Sequence, residues 1–456
     1  MTGHVELVSP PFAGHLHPTL GIGVELARRG VPVRVVSTEA ARAQIEAAGL
    51  TAVALESADD RVIAGIADPP ERIGANPVRL HRQFRGTLGV LGTIGDELER
   101  RYRDERPAVV VADFTLPVAG IAAHRHGARW ITVIASPVAI GSVDGTPAYF
   151  GGWAPPRGAA GRVRDAAARG AARAFKRGVF AMNAAPLQAL GFSGAFRADG
   201  TEQVYSPELV LGLGLPELEL PRTWPPAMRF VGPVRYTPPG RPGAWGAETS
   251  AAPPVVTSST DAAVSRRPLV LVSCGTHLAA TKAELLGIVE RTAALLPGVD
   301  LEMTLGGTQP DGDLGANGAR DARVHLIDYA DYGELGGYDA IVHHGGAGIV
   351  HAALAAGLPA VVIPVDYDQP DLAARLVHHG LAERLAPSAV RGAAGATRLA
   401  AAIERALAPS DGRRLALARF RLASEHRDGA TGAADLIEEA WMSGVGAGGE
   451  QSGAMA

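Results

Sequence analysis

Two stretches of this 456-residue chain carry side chains that could act on one substrate. In "HHGGAG", residues 343–348, two histidines run into a glycine corner. There the β-branched run "DAIVHH" gives way to apolar residues at helical spacing, Val350, Ala353 and Leu354, ended by Gly357. Such a strand-to-helix corner aims backbone amides and the positive end of a helix dipole at one spot, and glycine lets an anion approach the backbone. A diphosphate is the expected occupant of Gly345, Gly346, Ala347 and Gly348; a tight packing turn is the plain alternative. In "SPPFAGHLHP", residues 9–18, His15 follows an early strand, and an imidazole titrating near neutral pH suits removal of a proton from an attacking hydroxyl. Asp113, closing "AVVVAD", is either the carboxylate that fixes the imidazole tautomer or the N-cap of the next helix. His17 reads as a packing or surface residue.

More polar groups are delivered to the same strand ends. "PAVVIPVD" leads into "YDQP", whose Asp368 and Gln369 suit sugar hydroxyls, and "VSCGTH" supplies Ser273, Gly275 and Thr276. The elements that must hold them alternate: short β-branched runs and helix-period segments succeed one another in both halves, which predicts α/β units with parallel sheets and crossover helices. Leu20, Gly23, Val24 and Ala27 mark the first helix, expected to start at Pro18 and stop at Gly30. The expected domains are 1–235 and 268–428. Between them lies a Pro/Gly/Ser/Thr-rich linker, 236–267; a helix at 429–442 carries Leu436, Ile437, Ala440 and Trp441 on one face that must be buried, and 443–456 is a flexible tail.

Composition removes several classes. A net charge of −4 is the wrong balance for a nucleic-acid partner. A lone cysteine, Cys274, forms no internal disulfide and suits a reduced cytoplasm; no signal peptide or transmembrane run is visible. His15, His17, His343 and His344 fall in different halves with no cysteine or carboxylate at ligand spacing, so no metal site and no cofactor is expected. Residues 60–100 and 137–195 break the alternation and hold Phe84, Phe150 and Trp153, which suit the wall of an apolar small-molecule site, the acceptor's in the family resembled below, or simply core. The segment 157–178 sets seven basic residues against Asp165; it reads as a solvated helix face, with peripheral membrane contact as the alternative.

Taken together, "HHGGAG", "DYDQP" at 366–370, "VSCGT" at 272–276 and "GHLHP" at 14–18 resemble family 1 nucleotide-sugar glycosyltransferases of the bacterial natural-product type. The resemblance covers most of residues 4–442 and implies the GT-B fold, two doubly wound parallel-sheet domains facing across a cleft, 1–235 binding the acceptor and 268–428 the donor, with the 429–442 helix returning to brace the first. It implies His15 as general base with Asp113 behind it, and inversion at the anomeric carbon. His344 and the glycines would contact the diphosphate, Asp368 and Gln369 the sugar, and Tyr329 and Ala330 the base of a UDP- or dTDP-sugar. Two positions depart from the family pattern: Ile349 stands where many relatives carry Ser or Thr, and Leu372 where many carry Asn. No indole lies near Tyr329 to separate uracil from thymine. The readings kept beside this one are transfer to a membrane lipid or carotenoid, a nucleotide-sugar epimerase and a non-catalytic nucleotide-sugar binding module. A dinucleotide-dependent oxidoreductase is disfavoured because "PPFAGHLHP" lacks G-x-G-x-x-G.

Overall fold

A computed structural model describes residues 3–67, 77–239, 266–273, 279–304, 321–392 and 394–450. The chain divides into two compact units, Met1–Pro239 with Ala423–Ala456, and Gly240–Leu422. The expected linker falls mostly outside the described residues.

In the first unit the strands are β1 (Val5–Val8), β2 (Val33–Ser37), β3 (Thr51–Ala54), β4 (Val109–Asp113), β5 (Arg129–Ile134), β6 (Leu209–Gly212) and β7 (Met228–Phe230). They form one parallel sheet in the order β3-β2-β1-β4-β5-β6-β7. Every residue of β1 and β4 is buried, which is why both read as nearly unbroken apolar runs. Helices α1 (Ala13–Arg28), α2 (Arg42–Ala47), α3 (Asp60–Ala67), α4 (Pro77–Asp104), α5 (Pro117–Arg125), α6 (Gly158–Met182) and α7 (Ala184–Ala189) belong to this unit. The one charged residue inside β1, Glu6, is held by Arg101 of α4 at 2.7 Å.

Helix α1 starts five residues before the expected Pro18. The extended Phe12 supplies the first carbonyl, bonded by the His15 and Leu16 amides, so His15 sits in the first helical turn. Pro18 has no N–H to donate to the Gly14 carbonyl, and one residue on Thr19 Oγ1 donates to the His15 carbonyl at 2.9 Å.

The second unit repeats the winding. Strands β8 (Leu269–Ser273), β9 (Asp300–Thr304), β10 (Val324–Ile327), β11 (Ala340–His343), β12 (Ala360–Val362) and β13 (Ala382–Arg384) pair in parallel in the order β10-β9-β8-β11-β12-β13. Its helices are α8 (Ala279–Leu295), α9 (Ala347–Ala356), α10 (Gln369–His378), α11 (Pro387–Val390) and α12 (Gly395–Leu407), and α13 (Asp411–Glu425) leads out of it. In each sheet strand order reverses between the first and fourth strands, the point at which doubly wound sheets bind ligands.

The last helix, α14 (Gly429–Glu450), packs on α1. Its Ala433, Ala434, Ile437 and Ala440 join a core with Leu16, Leu20 and Leu26, and burial of Ile437 alone contributes roughly 2 kcal/mol. Trp441 Nε1 donates to the Gly3 carbonyl, while Arg29 bridges Glu25, Asp435 and Glu438. The helix runs through Glu450, so 443–450 is helical where a flexible tail was expected. Extending a formed helix gains a hydrogen bond per residue without a new nucleation cost.

Candidate active site

The first switch point lies between β1 and β4. β1 leads into α1 and so sets His15 beside the end of β4, where Asp113 is the last residue. His15 Nδ1 and Asp113 Oδ2 are 2.9 Å apart. The carboxylate is buried and the imidazole is 26 % exposed, so the pair is screened on the acid's side and open on the base's. Asp113 is not an N-cap, because the helix that follows is capped at Leu116. Its Oδ1 instead accepts the Thr115 amide at 2.9 Å and the Thr115 hydroxyl at 2.6 Å, a turn that fixes the carboxylate and leaves Oδ2 for the imidazole. With Nδ1–H donating to Asp113, Nε2 carries the basic lone pair. Phe114 stacks on the ring at 5.7 Å and Phe12 meets its edge. Thr115 and Phe114 had no sequence signal beyond their adjacency to Asp113.

The second switch point holds the glycine corner, with His343 in register with Ser273. The three glycines answer to different constraints. Gly345 is buried at φ 94°, and a Cβ there would meet Val362 at 3.1 Å and the Gln369 carbonyl at 3.3 Å. At Gly346 a Cβ would stand 2.5 Å from His344 Nε2, so the imidazole lies over this residue. A Cβ on Gly348 would meet nothing within 4 Å, and the residue is exposed. Gly348 is therefore the glycine whose missing side chain leaves room for something else. Helix α9 starts at Ala347, and its first-turn amides have no intrahelical acceptor. It ends at Gly357 in the left-handed region, as expected.

Around the corner, several expected ligand groups already have internal work. The Ser273 hydroxyl lies 3.2 Å from Tyr332 OH and 3.3 Å from Thr304 Oγ1, and the Ser273 carbonyl makes a long contact, 3.5 Å, with His344 Nδ1. Gln369 is buried and its Oε1 accepts the Val365 and Asp366 amides, so only its amide nitrogen is left to serve a ligand. Asp368 stands at the head of α10 and makes no side-chain cap bond to it, and Tyr367 before it is at φ 58°. Tyr329 stacks on Tyr332 at 6.1 Å; Ala330 is buried and offers a ligand its backbone alone. Ile349 and Leu372, the two departures, are buried core residues. Gly275 and Thr276 lie outside the described residues. Burial holds two imidazoles neutral: His343, with His344 beside it, is pushed down to about 3, and His351 in α9 to about 4.

The proposed acceptor aromatics separate. Phe150 and Trp153 pair at 5.1 Å under the Arg164 guanidinium, whereas Phe84 packs on the Leu88–Leu187–Phe192 cluster as core. Helix α6 is not a simple solvated charge face. Arg164 bonds Asp165 and the Ala154 carbonyl, Arg169 the Gly145 carbonyl, Arg173 the Gly200 carbonyl and Lys176 Glu202, while Ala167, Gly170, Ala171 and Ala174 are exposed. A cavity of about 230 Å³ in the first unit is lined by Ile140, Tyr205, Val210, Trp224 and Met228 among others, and by neither His15 nor Asp113. Among the described residues no cluster of three or more His, Cys, Asp or Glu could hold a metal ion, and no helix is long and apolar enough to cross a membrane.

Two doubly wound parallel sheets, one ending in a His–Asp pair and the other in a glycine corner, define the GT-B class of glycosyltransferases. Residues 317–421 match the erythromycin biosynthesis protein CIII-like C-terminal domain family. The chain is 27 % identical to 4'-demethylrebeccamycin synthase of Lentzea aerocolonigenes, covering 96 % of this chain and 99 % of that protein. It is 25 % identical to zeaxanthin glucosyltransferase of Pantoea ananas, covering 84 % of each. The crystal structure of the glycotransferase of kitacinnamycin superposes with a TM-score of 0.68 at 25 % identity, over 97 % of this chain and all of that one. Over nearly its whole length the chain is similar to the family 1 GT-B glycosyltransferases, and these likenesses support glycosyl transfer as its activity.

Proposed function

We propose that the enzyme moves a hexose or deoxyhexose from a UDP- or dTDP-sugar to a hydroxyl or amine of an apolar small-molecule natural product in the cytoplasm, with inversion at the anomeric carbon. The observation that carries this reading is the 2.9 Å pairing of His15 Nδ1 with Asp113. His15 Nε2 takes the acceptor's proton as its oxygen or nitrogen bonds to the anomeric carbon, and Asp113 stabilises the imidazolium that forms. The bond from that carbon to the diphosphate breaks as the new one forms. Charge gathering on the leaving diphosphate is met by the first amides of α9 and by His344, which is why no metal or other cofactor is assigned a role. Asp368 and the Gln369 amide nitrogen hold the sugar, Ser273, Gly275 and Thr276 the phosphates and ribose, and Tyr329 with the Ala330 backbone the base. A relative solved in complex with dTDP supports this donor class.

Relatives named for rebeccamycin, tylactone and zeaxanthin support an apolar acceptor. The zeaxanthin enzymes favour a carotenoid as the second reading. The test is mass spectrometry of aromatic, polyketide and carotenoid acceptors incubated with UDP-glucose or a dTDP-sugar, with wild-type enzyme and His15→Ala. Expected is a glycoside from the wild type and none from the variant, with nucleotide binding retained in both. Full turnover by His15→Ala would remove the base assignment, and donor consumption without acceptor would favour an epimerase.

A further inference from the structure

We propose that His343, the first histidine of the pair, is a positioning residue that shapes the anion corner from beneath as a neutral hydrogen-bond acceptor for Gly345. The inference rests on the donor-binding reading of the corner. His343 closes β11 and is 2 % exposed, so its ring cannot reach a ligand in the way expected of His344. Its Nδ1 accepts the Gly345 amide at 3.0 Å. That bond requires a lone pair on Nδ1, which places the ring proton on Nε2, and Nε2 has no partner among the described residues.

The bond decides what the corner can do. Gly345 sits at φ 94°, a conformation only glycine adopts without strain, and its amide is spent inward on His343, not outward on phosphate. With its amide turned inward at a positive φ, Gly345 leads into Gly346, the N-cap of α9, from which the first-turn amides of the helix follow. His343 therefore sets the direction of donors it does not itself contribute. The adjacent histidines divide the labour: His344 lies over Gly346, and His343 holds the turn that brings Gly346 there.

A charged His343 in direct contact with phosphate makes a different forecast: its advantage over asparagine would fade as pH rises past the ordinary histidine range. The experiment is calorimetric titration of UDP and dTDP into full-length wild type, His343→Ala and His343→Asn between pH 5.5 and 8, with melting temperatures recorded alongside. Asn places a carbonyl oxygen near the position of Nδ1. Loss of one buried acceptor is expected to weaken nucleoside diphosphate binding by about tenfold to a hundredfold in His343→Ala, with most of it restored in His343→Asn. The ratio of wild-type to His343→Asn affinity is expected to stay constant with pH. Equal binding by wild type and His343→Ala, equal loss in both variants, or a ratio that falls as pH rises past the ordinary histidine range would overturn the proposal. Failure of the wild type to bind either nucleotide would instead remove the donor reading on which it stands.

Discussion

Acid sensitivity of the second unit follows from its two buried imidazoles. His343 and His351 are held neutral in the fold, at about 3 and about 4, while in the unfolded chain both titrate near the ordinary histidine value of about 6.5. Above that value neither state binds the proton, and the two groups leave stability unchanged. As pH falls through it, the unfolded chain takes up two protons that the native unit refuses, so stability falls with pH and continues to fall until the native values are reached. At pH 5 each imidazole has cost about 2 kcal/mol, together about 4 kcal/mol, a large part of the 5–15 kcal/mol that ordinarily separates folded from unfolded. Tryptophan emission would report the effect poorly, since four of the five tryptophans, Trp130, Trp153, Trp224 and Trp441, belong to the first unit and the fifth, Trp245, lies outside the described residues. Hydrogen exchange of peptides spanning β11 and α9, corrected for intrinsic rates, reports it directly. Protection is expected to drop on the order of a thousandfold between pH 7 and 5. The double variant His343→Asn, His351→Gln should lose most of that slope. An unchanged slope in the variant would refute the reasoning.

Four further outcomes follow. Asp113→Asn should lower kcat by on the order of a hundredfold or more with little change in KM, because the imidazole loses its tautomer control; steady-state kinetics decide it. Thr115→Val should cost kcat a few-fold, about 1 kcal/mol, by loosening the carboxylate, and equal kcat in wild type and variant would free Asp113 of that support. Gly346→Ala should raise the KM for donor by about tenfold, since the new methyl must displace the His344 ring; acceptor KM serves as control. Turnover is expected to be unchanged after dialysis against EDTA, measured with and without added Mg²⁺.

The glycine corner, the strand-end carboxylate and the alternation of strands and helices were legible because each depends on local chemistry: backbone freedom, periodicity and a polar residue closing an apolar run. Groups whose role depends on what stands behind them were not. Nothing in "DFT" says that Thr115 would clamp one carboxylate oxygen, and "HH" does not reveal that one imidazole faces inward. Gln369 looked like a sugar ligand, yet half its side chain serves the backbone of the loop before it. α1 starts before Pro18 because, although proline often opens a helix, here the Phe12 carbonyl opens it first. Phe84 looked like a cleft wall by type alone, and aromatic residues far more often fill cores.

The docking of α14 on α1 has a consequence for synthesis. Everything the first sheet needs has left the ribosome by Phe230, but the strip of α1 that receives Ala433, Ala434 and Ile437 waits for residues encoded after the whole second unit. At 5–20 residues per second that delay is roughly 10–40 s. During it a nascent chain carries an uncovered apolar groove, and a message truncated before the codon for Ala433 would leave that groove bare for the life of the product.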